Sequence, residues 1–365
     1  MIKLILLLTF SGLFSLYPSN DNEKSGLCIK TTAHSILDLE GAATSINPEA
    51  NKLLDNIIET AVTSYCDIKK NLDRMNPRDR ALKTLEFIEK HLQTFHFVYP
   101  PSGYVWTLRE GLMDVSIDYN TLNRLCALPA NMQRKGMIEE YHNEVFHMVD
   151  CDIFSILYMA IGEALNLPIS LVDTPKHTFV SYSLPNGTYV YWEATTGIYK
   201  IVQNIIKPMS QSETIGYWHS IIGTILSNNG LYEKALEHYY ISIEKGQNKL
   251  DFYNKTAWLL ATCPDPKVRN PQSALLICEK MIEIYPNLSA NEFDTIAAVY
   301  AALNRWPEAI NMQLKAISLT DKEDPDFDLC YKRLLMYHNK HQFIAPRFLE
   351  SEAQRWKTRL ESESW

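Results

Sequence analysis

The chain has 365 residues, a net charge of −8 and an isoelectric point near 5.7. An acidic balance with no basic run argues against general nucleic-acid binding. With 46% apolar and 21% charged residues, the composition is that of a globular protein long enough for two domains.

Met1 to Leu16 places Lys3 ahead of a short apolar run. That pattern fits a secretory signal, expected over residues 1–19, and is too short for a comfortable membrane span. Export, to a periplasm or out of the cell, is therefore the expected location, with no stable membrane span beyond that segment. Residues 20–45 are expected to be a linker. Ser45 to Arg74 carries Leu53, Leu54, Ile57, Ile58, Ala61 and Val62 at helical spacing. Asn76-Pro77 is a helix start, followed by inward-facing Ala81, Leu82, Leu85, Ile88 and Leu92. Val105 to Val115 is expected to be a short helix and Met132 to His147 another.

The most informative stretch runs from Asp150 to Glu193. Asp150 is a good N-cap, which puts Cys151 in the first turn of a helix. Unpaired N–H groups and the positive end of the helix dipole favour a thiolate there. The flanking Asp150 and Asp152 oppose it. The helix is apolar nearly all round, from Ile153 to Leu165, and so should be buried. Asn166 can take the left-handed conformation that ends it, and Pro168 stops it. Ile169–Val172 should be a strand. His177–Tyr182 and Thr188–Trp192 should form a hairpin around Leu184-Pro185-Asn186-Gly187. A two-residue Asn186-Gly187 turn would set Val180 opposite Glu193 and His177 opposite Thr196. A longer loop, Ser183 to Gly187, would set His177 opposite Glu193 on one face. A triad of Cys151, His177 and Glu193 requires the longer loop.

Asp-Cys-Asp with Ala-Ile-Gly-Glu-Ala-Leu-Asn-Leu-Pro, then His-Thr-Phe-Val, then Trp-Glu-Ala-Thr, resemble the transglutaminase-like superfamily, the papain-related group with a Cys-His-Asp triad. The resemblance covers roughly Ala81 to Gly197, within a domain set at residues 46–205. It implies Cys151 as nucleophile, His177 as general base and acid, and Glu193 as the acid that orients the imidazole. Glu193 stands where that group usually has Asp. Such chemistry needs no cofactor.

Seven cysteines are present. Without a Cys-x-x-Cys spacing a structural zinc site is not expected, and no metal is called for. His142, His147 and Cys151 lack a fourth ligand. Cys263 and Cys278 are the pair whose helices could bring them together.

From Glu213 the sequence repeats. Ala235, Ala274 and Ala309 are 39 and 35 residues apart, close to the 34-residue tetratricopeptide period, with a Pro264–Pro271 insertion absorbing the excess. The block from Ala257 to Pro286 resembles bacterial tetratricopeptide sequences. Repeats are expected over residues 213–322 and capping helices over residues 323–365. The resulting fold class is α+β: a cysteine-helix and antiparallel-sheet domain followed by an α-helical solenoid. The expected partner is a protein or peptide held in the repeat groove, not nucleic acid. The expected function is thiol-dependent acyl transfer or hydrolysis on protein carboxamides. The alternative is a non-catalytic scaffold joined to an interaction module.

Overall fold

The computed structural model describes residues 29–43, 48–98, 107–113, 115–116, 145–174, 177–202, 205–246 and 249–346. Within them the chain is mixed α and β and mostly helical, with twelve helices. The first four are α1 (Thr32–Ala43), α2 (Pro48–Leu72), α3 (Pro77–Gln93) and the short α4 (Leu108–Gly111). Strands β1 (Phe97–Val98), β2 (Val115–Ser116) and β3 (Val145–Met148) form a small sheet in the order β1-β3-β2. Helix α5 (Cys151–Ala164) leads into a second, antiparallel sheet of β4 (Ile169–Thr174), β5 (His177–Ser183), β6 (Tyr189–Glu193) and β7 (Ile198–Lys200). The proposed signal segment, Cys28, Trp106, Cys126 and His142 lie outside the described residues, as do residues 347–365. Among the described residues, no helix is long and apolar enough to cross a membrane.

Two expectations are corrected. Residues 20–45 are not all linker, because α1 occupies Thr32–Ala43. Its Ala33 and Ile36 are fully buried. The Glu40 carboxylate accepts from the N–H groups of Leu108 and Arg109 at 2.8 Å, and from Trp218 Nε1 at 2.7 Å. Three donors compensate a carboxylate that burial would otherwise make costly. Burial still pushes its pKa up to about 7, against those hydrogen bonds. The second correction concerns the helix expected up to His147. Val145–Met148 is a strand, and the rest of that segment lies outside the described residues.

Helix α5 is the centre of the first block. Ile153, Ile156, Leu157, Tyr158, Ala160 and Ile161 are fully buried. Each large aliphatic side chain buried this way contributes about 1.5–3 kcal/mol. Asp150 caps the helix, its Oδ1 accepting from the N–H groups of Asp152 and Ile153 at 3.1 and 3.0 Å. Asn166, with φ of 53°, ends it.

The sheet has two unlike faces. Leu171, Val180 and Trp192 lie in one cross-strand row, and Ile169, Tyr182 and Val190 in the next. Both rows belong to the core that contains α5. On the reverse face Val172, Phe179 and Tyr191 pack with Val202 and Ile206. Strand side chains alternate, so Thr174, His177, Glu193 and Lys200 share that reverse face.

Helices α6 (Gln211–Asn228), α7 (Tyr232–Lys245), α8 (Leu250–Thr262), α9 (Pro271–Ile284), α10 (Ala290–Ala302), α11 (Trp306–Leu319) and α12 (Pro325–His338) form the second block. They pack as three successive antiparallel pairs followed by α12. Ala235, Ala274 and Ala309 are fully buried, one in the second helix of each pair. A Cβ on Gly223 would come within 2.6 Å of the Tyr239 ring, so a bare Cα is what lets α6 and α7 approach. Within residues 323–365, α12 spans Pro325–His338, and residues 341–346 carry no helix. Cys263 and Cys278 are both buried free thiols, not a disulfide.

Candidate functional site

The β5–β6 turn decides where His177 points. Gly187 N–H donates to Leu184 O at 3.0 Å, and Leu184 N–H to Thr188 O at 2.8 Å. With Gly187 at φ of 80°, this is a three-residue loop ending in a left-handed residue. Tyr182 pairs with Val190 and Val180 with Trp192. The register lies between the two anticipated from sequence. Carried one step further it sets Phe179 opposite Glu193, so His177 is diagonal to Glu193, not directly across from it. The face is nevertheless shared.

The diagonal is within side-chain reach. His177 Nε2 lies 2.7 Å from both Glu193 Oε1 and Oε2. Nδ1 is thereby the ring nitrogen left to exchange a proton. The imidazole stacks on Phe179 at 6.3 Å between centroids. Lys200 Nζ donates to Glu193 Oε2 at 2.7 Å and sits 4.6 Å from the Phe179 ring centre. Thr195 Oγ1 donates to Glu193 Oε1 at 3.0 Å. Burial alone would raise the Glu193 carboxyl. The hydrogen bonds and charges of His177 and Lys200 outweigh it and bring the pKa down to about 2. Glu193 is therefore an anion throughout the neutral range.

Cys151 occupies the first position of α5 and is half-buried. Its sulfur lies 4.0 Å from Asp152 Oδ1. Burial raises the Asp152 carboxyl, while hydrogen bonds from Thr178 and Tyr217 pull it back. Tyr217 OH donates to Asp152 Oδ1 at 2.8 Å and lies 3.3 Å from Thr178 Oγ1. These bonds span from the start of α5 to the start of β5. Cys151 and His177 flank these residues at one end of the layer but on opposite sides of the sheet: Thr178 faces α5, whereas the His177 ring stacks on Phe179 on the reverse face. The hydrogen bonds of His177 Nε2 go to Glu193.

The structure thus brings His177 and Glu193 together on the reverse face of the sheet and places Cys151 with α5 on the other side. Sequence reasoning missed Lys200, Thr178 and Tyr217. Lys200 belongs to a three-residue strand with no period to read, and Tyr217 comes from the block of paired helices. Thr178 was visible only as the residue after His177. Among the described residues no group of three or more metal-ligating side chains is gathered. His147 Nδ1 lies 3.2 Å from Met113 O. No family model matches the chain, and no curated protein matches it.

Proposed function

We propose that the protein is a thiol-dependent acyl-transfer enzyme acting on protein or peptide carboxamides, with the helical pairs recruiting the substrate. The observation that carries this is the His177–Glu193 pair, already formed at 2.7 Å, at the same end of the layer as a half-buried thiol in a first helical turn. In this scheme Cys151 Sγ attacks the carbonyl carbon while His177 Nδ1 takes the thiol proton. His177 then passes that proton to the departing amine, leaving a thioester. Water or a second amine attacks the thioester and returns the proton through His177. Glu193 holds the ring and balances its charge. His177 lies on the sheet face turned away from α5, so the scheme requires the start of β5 to turn over and bring Nδ1 to hydrogen-bond distance of Sγ when substrate binds.

The position of His177 on the sheet face turned away from α5 favours a second reading, a transglutaminase-like layer kept as a scaffold for the repeats. One experiment separates the two. Cys66 is an exposed free thiol and serves as an internal standard. Low iodoacetamide at about pH 6.5 should alkylate Cys151 at least about tenfold faster than Cys66, and His177→Ala should remove the difference. Equal, slow labelling of both thiols at that pH would leave the scaffold.

A further inference from the structure

Residues 339–346, which follow α12, stay against the paired helices. Lys340 adopts a left-handed conformation with φ of 56°, and His341 N–H donates back to Met336 O at 2.9 Å. This C-terminal cap reverses the chain. Residues 341–346 then run across α10 to α8, without helix or strand of their own. The Phe343 ring lies 5.6 Å from the Trp258 ring of α8. The Arg333 guanidinium of α12 lies 5.4 Å from the Phe343 ring centre and 5.5 Å from that of Trp258. Arg333 is held in place by Asp294 of α10, Nε to Oδ1 at 2.8 Å. Phe343 joins the apolar cluster of Ala297, Ala301 and Tyr337. Two residues on, Ala345 N–H donates to Thr262 O at 2.8 Å. That carbonyl is in the last turn of α8, where helix carbonyls lack intrahelical donors.

The first helices of the pairs, α6, α8 and α10, together with α12, line the face that this segment crosses. Lys255 of α8 donates to Ser220 of α6 at 3.2 Å, and Arg333 of α12 to Asp294 of α10. The same face carries Tyr217, the residue hydrogen bonded to Asp152 beside Cys151. The Trp258–Arg333 clamp on this face is occupied by the chain itself.

We propose that the Trp258–Arg333 clamp is a docking site for an extended peptide bearing an aromatic side chain, and that residues 341–346 fill it as a tethered occupant. The recognised chemistry is an aromatic ring against a cation and an indole, followed two residues later by a backbone N–H for Thr262 O. A partner of that pattern has to displace Phe343. Only two residues separate Lys340 from Phe343, so the tether holds the ring at a local concentration on the order of millimolar or more. The inference does not depend on the chemistry of Cys151, so it can fail or stand apart from the proposed function.

The test uses the full chain and a labelled synthetic peptide copying residues 339–347, with binding followed by fluorescence polarisation. The Phe343→Ala protein should bind the peptide at least about tenfold more tightly than the unaltered protein, because the tether has lost its anchor. Adding Trp258→Ala should abolish that gain. Hydrogen exchange supplies the second measurement. The Ala345 amide should be protected in the unaltered protein and exposed in Phe343→Ala, while the α8 amides stay protected in both. Equal affinity of the unaltered and Phe343→Ala proteins, binding that survives loss of Trp258, or no binding up to about 1 mM would each overturn the proposal. Repeating the measurement in Cys151→Ala should change nothing, and a changed affinity there would tie the surface to the thiol instead.

Discussion

The helix–sheet layer and the block of paired helices are specified in different ways. In the paired helices, position along the chain fixes depth. Ala235, Ala274 and Ala309 are buried because each faces the partner helix of its own pair, and Gly223 is bare because Tyr239 lies over it. Such contacts are local and repeat. In the sheet, depth depends on register, and register depends on a turn. One residue of slip at Leu184–Thr188 would move His177 and Glu193 to opposite faces. A helical pair tolerates uncertainty at its ends. A hairpin carrying a hydrogen-bonded pair does not.

The largest test of this contrast lies where the two regions meet. Trp218 of α6 is fully buried and bonded to Glu40 of α1. Trp218→Ala should cost about 3–5 kcal/mol, read by urea denaturation. Far-UV and near-UV signals should still lose structure in one transition. Two separate transitions in the unaltered protein would show that the regions fold independently.

A smaller effect comes from within the paired helices. Gly223→Val should destabilise by about 1–3 kcal/mol by forcing the Tyr239 ring aside. It should leave the labelling rate of Cys151 unchanged, since the strain stays in one pair.

Glu193 gives a pH-dependent test of comparable size. Its folded pKa of about 2 lies below the ordinary 4.5. The unfolded chain therefore binds the proton more readily. The stability this contributes is fully present above about pH 4.5 and is lost as pH falls toward 2, for at most about 3 kcal/mol. In Glu193→Gln that part of the acid slope should vanish, and chemical denaturation at about pH 3 and 6 measures it. An unchanged slope would mean that His177 and Lys200 do not hold the carboxylate in solution.

The smallest effect sharpens the register claim. Gly187→Ala, at a left-handed position open to solvent, should cost about 1 kcal/mol while keeping the strand pairing. A shift of cross-strand amide contacts on nuclear magnetic resonance would show that the turn was the determinant of register.

Much of this was legible in the sequence, and the reason differs by element. Asp150 and Asn166 announced the ends of α5 because capping chemistry is local. The alanine spacing announced the pairs because the same close contact recurs. His177 and Glu193 were legible as a pair on one face, but not as a diagonal one. Leu184-Pro185-Asn186-Gly187 is compatible with more than one loop length, and the backbone settles on three residues. Helix α1 carries Ala33, Ile36, Leu37 and Leu39 at helical spacing, but the polar run Asn20 to Lys30 before it and Thr44-Ser45 after it make the whole stretch read as linker. The partners of Glu193 and Asp152 were not legible at all. Lys200 and Tyr217 arrive from elements whose place is set by packing, not by pattern.

Tyr217 and Trp218 are neighbours on one turn of α6, and they point to different tasks. Trp218 is sealed into the core with Glu40, whereas Tyr217 reaches the carboxylate next to the sulfur. The two neighbours thus join α6 to the first block twice, once by a sealed core contact and once by a polar one beside Cys151.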